Sequence, residues 1–252
     1  MVKGIITFKE AFKKYTDQFV IIGGTACDNV MSSAGLDFRG TKDIDIVIII
    51  EAIKPEFFKV FWGFAEEAGY KNREKSDGKK QFYRFTKPKD DSYPYMLELF
   101  SRELDNISMP DESILTPIPA EESIASLSAI LLDEEYYNFI ISHRIEIEGL
   151  PFVTEECLIP LKAKAWMDLS ERKEKGETIK STDIKKHKNY VARLCQLLSA
   201  DRDITLPSSI KYDMLEFMKR YKNSGINPKE FKVDMTPEVL FERLTKYYQL
   251  DK

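Results

Sequence analysis

The chain has 252 residues, a length that suits one large domain or two modest ones. Hydrophobic residues make up 43% and aromatics 12%, enough for a core and too many for a disordered chain. Against 42 Asp+Glu there are 38 Lys+Arg; the net charge of -4 argues against a wholesale polyanion binder while leaving room for a local basic patch.

Phe19-Val20-Ile21-Ile22 is aromatic and β-branched and is stopped by Gly23-Gly24, which reads as a strand feeding a tight turn. A helix is expected over residues 25–33, closed by Ala34-Gly35. Residues 44–50 give the strongest strand signal; apolar on both faces after Asp45, they predict a central strand buried on both sides. Pro55 opens a helix in which Phe57, Val60, Phe61, Phe64, Ala65 and Ala68 recur at helical spacing, with Gly69 as C-cap. The polar stretch 72–80 reads as a hairpin or loop. Residues 81–85 and 95–100 read as strands about a second loop, 87–94, and Pro110, Pro117 and Pro119 mark an irregular stretch. Short strands are expected at 126–132, 136–142 and 144–148.

After Pro151 the pattern becomes helical. Leu158, Leu161, Ala165 and Leu169 form one stripe, and Ile184, Val191, Leu194 and Leu198 another, with Thr182 as N-cap. Ser208 or Ser209 should cap a helix carrying Ile210, Met214, Phe217 and Tyr221; Thr236-Pro237 opens a last one with Leu240, Leu244 and Tyr248. The expected fold is α+β, a mixed sheet with flanking helices over residues 1–154 followed by an α-helical bundle over 155–252.

Cys27, Cys157 and Cys195 have neither metal-ligand spacing nor a disulfide pattern, and only His143 and His187 could join them, so a zinc site is not expected. Residues 1–6 lack the apolar run of a signal peptide, and 44–50 is far too short to span a bilayer. The expectation is a soluble cytoplasmic protein with reduced thiols and no membrane partner.

Three features carry chemistry. At Gly23-Gly24-Thr25 a strand turns into a helix, where bare backbone N–H groups can meet phosphate, or where the glycines make only a plain turn. Asp43 and Asp45, two apart on a strand, share one face; a cation would repay their repulsion, and carboxylate pairs with substrate phosphates are how Mg²⁺ is usually held. The alternative is a solvated strand end with Asp43 paired to Lys42 or Arg39. Glu98 sits in the apolar run Tyr95-Met96-Leu97-Glu98-Leu99-Phe100, facing water on an edge strand or lying beside the two aspartates. In the second case three carboxylates would suit two Mg²⁺ ions and phosphoryl transfer.

In order and type these residues resemble the nucleotidyltransferase superfamily, the fold shared with DNA polymerase beta. The string Gly23-Gly24-Thr25-Ala26 followed by Arg39-Gly40-Thr41-Lys42-Asp43-Ile44-Asp45 is most similar to the AbiEii-type toxin branch. Leu161-Lys162-Ala163-Lys164-Ala165-Trp166 and Thr182-Asp183-Ile184 resemble that branch's later lysine and acid motifs. The resemblance covers most of residues 15–200. It departs at Glu98, where many members have Asp, and at His187, where a second acid is common.

The resemblance implies a Mg²⁺-dependent enzyme moving a nucleoside monophosphate from an NTP to an acceptor hydroxyl. Asp43 and Asp45 would hold the metal; Glu98 would complete the metal site or act as base. Gly23, Gly24 and Thr25 would contact phosphate, Arg39 and Lys42 would neutralise the triphosphate, and Lys162 would reach its β- or γ-phosphate, with Asp183 nearby. Without the resemblance, Lys162 reads as a snorkelling surface lysine, Asp183 as a first-turn acid and His187 as a half-buried core residue. The implied acceptor is an RNA such as tRNA, or a protein, and the implied partner an antitoxin protein. A small-molecule (antibiotic) adenylyltransferase and a catalytically silent nucleotide-binding member are the alternatives.

One regional imbalance bears on the acceptor. Between Lys162 and Arg193 ten cations meet five acids, which fits either a polyanion-binding surface or a solvated helix pair.

Overall fold

The computed structural model describes residues 2–38, 40–76, 81–101, 116–118 and 133–251. They divide into two compact units, Met1–Leu132 with Ile141–Thr154, and Asp133–Ile140 with Glu155–Lys252. The class is α+β. No helix among the described residues is long and apolar enough to cross a membrane.

In the first unit the elements run α1 (Ile5–Phe12), β1 (Phe19–Ile22), α2 (Gly23–Ser33), β2 (Asp43–Ile48), α3 (Pro55–Ala68), β3 (Asn72–Ser76), β4 (Gln81–Thr86), β5 (Met96–Ser101) and β6 (Thr116–Ile118). Helix α4 (Glu134–Ser142) then leads to β7 (Arg144–Ile147) and β8 (Leu150–Val153). The strands form one mixed sheet in the order β6-β3-β4-β5-β2-β1-β8-β7. Strand β2 is central, as the apolar run 44–50 predicts, antiparallel to β1 and parallel to β5.

Alternation sorts the sheet into two faces. Phe19 and Ile21 of β1, Ile44 and Ile46 of β2, Leu97 and Leu99 of β5, and Tyr83 and Phe85 of β4 fall on one face through the strand registers. Phe19 meets Phe8 and Phe12 of α1 and Phe57 of α3, while Phe85 meets Phe61. Phe12 alone touches Phe8, Phe19, Phe57, Phe61 and Phe64, mostly edge-on or tilted, the arrangements that aromatic quadrupoles favour. The opposite face carries Asp45, Glu98 and Arg84 in adjacent strands.

Several expectations need correction. Residues 136–142, aromatic and β-branched enough to read as a strand, lie in helix α4; the Asp133 side chain accepts from the N–H groups of Glu135 and Tyr136 and caps it. Of the two readings of the polar segment 72–80, the pairing fits the hairpin: 72–76 is strand β3, antiparallel to β4, with β6 on its other side, and Pro117 lies within β6. Helix α1 and strand β8, the latter parallel to β1, were not expected. The strand expected at 126–132 lies outside the described residues.

Besides most of α4, the second unit comprises α5 (Glu155–Glu174), α6 (Ser181–Cys195), α7 (Ser208–Lys222), a 3₁₀ turn (Pro228–Phe231) and α8 (Pro237–Tyr247). The N-caps of α6 and α7 are Lys180 and Pro207, not Thr182 or Ser208, and neither makes a side-chain capping bond; Thr236 does cap α8, accepting from the Val239 N–H. Pro160 lies inside α5 and leaves the Glu156 carbonyl without its helical donor. The Tyr248 hydroxyl donates to that carbonyl at 3.0 Å, while the Glu156 carboxylate takes Tyr247 and Arg202.

The aromatic cluster sets the stability of the first unit. Phe12→Ala should cost about 3–5 kcal/mol. Urea unfolding in a Trp166→Phe background checks this, since Trp62, packed on Phe61, Tyr83 and Phe85, is then the sole tryptophan reporter. A loss under about 1 kcal/mol would mean that the cluster is not a rigid core.

Candidate active site

Register brings the site together. Asp45 of β2 pairs with Glu98 of β5, and Glu98 pairs with Arg84 of β4. The three side chains therefore follow one another across adjacent strands on one face. Asp43, two residues before Asp45, shares that face, and both aspartates are half-buried while Ile44 between them is buried.

Glu98 is 8% exposed and Arg84 9%. Arg84 donates to Glu98 Oε1 from Nε at 2.9 Å and from its terminal nitrogen at 2.7 Å. On its other flank Glu98 shares a hydrogen bond with Asp45. Burial, then the charge and hydrogen bond of Asp45, raise its proton affinity well above the ordinary carboxylate range, and Arg84 offsets only part of this.

Gly23 explains where β1 must end. Ile22 pairs with Asp45, and the next residue turns with φ +72° into α2. A Cβ there would sit 1.6 Å from Asp45 Oδ2, so both the backbone angle and the space require glycine. The first turn of α2, with no side-chain cap at Ile22, thus begins against a carboxylate. At Gly24 a Cβ would meet Thr41 Oγ1 at 3.0 Å.

The remaining candidates divide. Thr25, expected on phosphate, is fully buried and donates its hydroxyl to the Asp43 carbonyl, which ties the start of α2 to the acidic strand. Lys42 is exposed with its ammonium 5.8 Å over the Tyr95 ring. Arg39 lies outside the described residues. In the second unit, Lys162 is not a surface snorkel but 8% exposed, its ammonium 5.5 Å over the Tyr190 ring. Asp183 pairs with Lys186 at 3.2 Å. His187 is half-buried, with Nδ1 sealed from water and lacking a hydrogen-bond partner.

Of the basic run, Lys164 pairs with Asp213 at 2.6 Å and Arg172 with Glu177 at 2.8 Å, while Lys188 donates to the Ser224 carbonyl at 2.9 Å. That bonding within the unit favours a solvated helix pair over a polyanion surface. Arg84 is the site residue that the sequence reading missed. A cation in the middle of the otherwise apolar run Phe82-Tyr83-Arg84-Phe85 was its signal.

The donor set fits one divalent ion better than two. Asp43 and Asp45 supply the carboxylate pair with which Mg²⁺ is commonly held beside substrate phosphates. Among the described residues no group of three or more His, Cys, Asp or Glu side chains is arranged to hold a metal. Glu98, the third carboxylate of the expected centre, is bonded by Arg84 and stands directly beside Asp45.

No protein-family model matches the chain, and no curated protein matches it. Among solved structures it is similar to the Megavirus polyadenylate synthase, at 13% identity and a TM-score of 0.31 over 95% of this chain. The chain spans 47% of that protein. Any functional assignment therefore rests on the residues of the site itself.

Gly23→Ala should destabilise the first unit by at least about 1–3 kcal/mol. Much of that cost should vanish in an Asp45→Ala background, and strict additivity in a double-mutant cycle would refute the collision with Asp45.

Arg84→Met leaves Glu98 buried without its cation. A carboxyl with a raised folded pKa holds more protons folded than unfolded, so its contribution to stability is present at low pH and lost as pH climbs above the unfolded value of about 4.3. The variant should therefore lose little near pH 5 and up to about 3–5 kcal/mol near pH 8. Equal losses at both, measured by denaturant titration, would show that Glu98 stays ionised.

Proposed function

We propose that the chain is a Mg²⁺-dependent nucleotidyltransferase that moves a nucleoside monophosphate from an NTP to an acceptor hydroxyl and releases pyrophosphate. The single observation that carries this reading is the cross-strand row Asp45, Glu98 and Arg84, with Asp43 on the same face and Gly23 cleared for the Asp45 carboxylate. Asp43 and Asp45 would hold the ion, which supplies Lewis-acid polarisation of the phosphoryl oxygens.

The chain's own groups do the rest. The Gly23-Gly24 turn offers backbone N–H groups at a helix start to phosphate. Thr25 fixes the acidic strand by its bond to the Asp43 carbonyl. Glu98, whose proton affinity burial and Asp45 raise well above the ordinary carboxylate range, suits a base that takes the acceptor hydroxyl's proton. Lys42 and Lys162, and Arg39 from the sequence pattern, are the cations available to a triphosphate, and Asp183 takes the accompanying helix position.

The Gly23–Asp45 string supports an AbiEii-type toxin acting in the cytoplasm on an RNA such as tRNA or on a protein, with an antitoxin as partner. A silent nucleotide-binding member is the second reading, favoured by one observation: Arg84 already occupies Glu98 Oε1.

Label transfer separates these readings. The protein is incubated with Mg²⁺, each α-labelled NTP, and total tRNA, cell protein extract or an aminoglycoside and lincosamide panel. Wild type should label tRNA or a protein, and Asp43→Asn/Asp45→Asn should fall to background. Label on an antibiotic would make the chain a small-molecule adenylyltransferase. Saturable NTP binding without transfer to any acceptor would leave the silent reading.

A further inference from the structure

In the second unit a buried acid holds Arg202 in place. The two terminal nitrogens of Arg202 reach the Glu156 carboxylate, at 2.9 Å to Oε1 and 3.4 Å to Oε2. Glu156 is 4% exposed and also takes the Tyr247 hydroxyl. A guanidinium pinned this way is aimed before a ligand arrives, and its Nε–H and outward N–H groups stay free to donate.

Arg202 borders an open cavity of about 200 Å³ between the turn after α6 and helix α8, together with Ser199, Val239, Glu242, Arg243 and Lys246. Arg243 gives one N–H to the Cys195 carbonyl at 3.4 Å, and Lys246 one to the Ala200 carbonyl at 2.9 Å. Both keep further donors, and among the described residues neither pairs with a carboxylate. Three apart on α8, they lie on one helix face. Glu242 is the acid on the cavity wall; it is exposed, and among the described residues it makes no ion pair. Three cations with spare donors thus stand against one solvated carboxylate. Guanidinium forks match the paired oxygens of a carboxylate or phosphate, and the ammonium adds a point charge.

We propose that this cavity binds a small oxyanion, a carboxylate or phosphate group, through Arg202, Arg243 and Lys246. Its volume lies below the roughly 300–1,000 Å³ of pockets that enclose drug-sized ligands, so it suits a small anion and not a whole nucleotide. Glu242 opposes the bound charge and tempers affinity. The site uses residues of the second unit alone and is independent of the nucleotidyltransferase reading.

Calorimetry on the whole protein, in phosphate-free buffer of low ionic strength, uses inorganic phosphate and succinate as probes. One or both should bind saturably; phosphate alone would mark a tetrahedral oxyanion site, succinate alone a carboxylate site. Arg243→Met and Lys246→Met should each weaken binding by about tenfold. Glu242→Gln should tighten it several-fold, an effect that loss of folding cannot imitate. Asp43→Asn/Asp45→Asn should bind as wild type does, which separates the cavity from the acidic face of the sheet.

The site is overturned if neither anion binds, if Arg243→Met and Lys246→Met bind as tightly as wild type, or if Glu242→Gln fails to tighten binding. It is overturned equally if Asp43→Asn/Asp45→Asn abolishes the heat. Binding of a single-stranded oligoribonucleotide without either small anion would also refute it, and would make these cations part of a polyanion surface.

Discussion

Two carboxylates held side by side on a buried sheet face have to be neutralised, and the first unit is arranged around that requirement. The parallel register of β2 and β5 sets Asp45 against Glu98 directly, at a spacing where like charges repel strongly. Arg84 arrives from the antiparallel neighbour β4 at the matching position and offsets part of the charge, while burial and Asp45 raise the proton affinity of Glu98. On the other side β1 stops at Ile22, because a side chain on residue 23 would strike Asp45. The start of α2 therefore follows from the acids as much as from helix propensity. The aromatic cluster on the opposite face supplies the rigidity that such a charged row needs, since strands free to slip would separate the groups that compensate one another.

The second unit shows the same accounting in two versions. Pro160 deprives the Glu156 carbonyl of its donor, and Tyr248 from the chain's end restores it; the Glu156 carboxylate is met by Arg202 and Tyr247. A buried acid with a structural task is thus fully bonded. Lys162 and His187 lie on neighbouring helices of the same unit, and the charge and the ring nitrogen have no such partners among the described residues.

Much of this was legible in the sequence, and the exceptions have physical causes. Period and punctuation located β1, β2, α3, β4, β5 and the helices after Glu155, because strong apolar runs there end at glycine or proline. Helix α1 was also legible: Ile5, Phe8 and Phe12 recur at helical spacing and are all buried. Strand β8 was not. It is four residues long, contains Pro151, and gains its identity from pairing with β1 far away in sequence. The error at α4 came from weighing Tyr136, Tyr137, Phe139 and Ile140 by β propensity, when Asp133 followed by two glutamates already supplied a capped helix start. Asp43, Asp45 and Glu98 could be named as candidates from type and order. That Arg84 would sit against Glu98 depended on a register that no local signal encodes.

That register also ties the acids to one another chemically. Burial first, and then the negative charge of Asp45, raises the proton affinity of Glu98. Positive charge placed at Asp43 and Asp45 would reverse the dominant local field and draw the proton off Glu98, so ion binding and base formation become two sides of one equilibrium. Binding linked to proton release strengthens as pH rises through the range in which Glu98 would otherwise stay protonated. Arg84 sets the scale of that coupling. It already lends Glu98 part of the positive charge it needs, and so lowers the further charge required to make the carboxylate a base. A sheet that places an arginine, a glutamate and an aspartate in one cross-strand row therefore does more than conserve buried charge. In the proposed enzyme it would keep the base silent until the cation and its phosphates are in place.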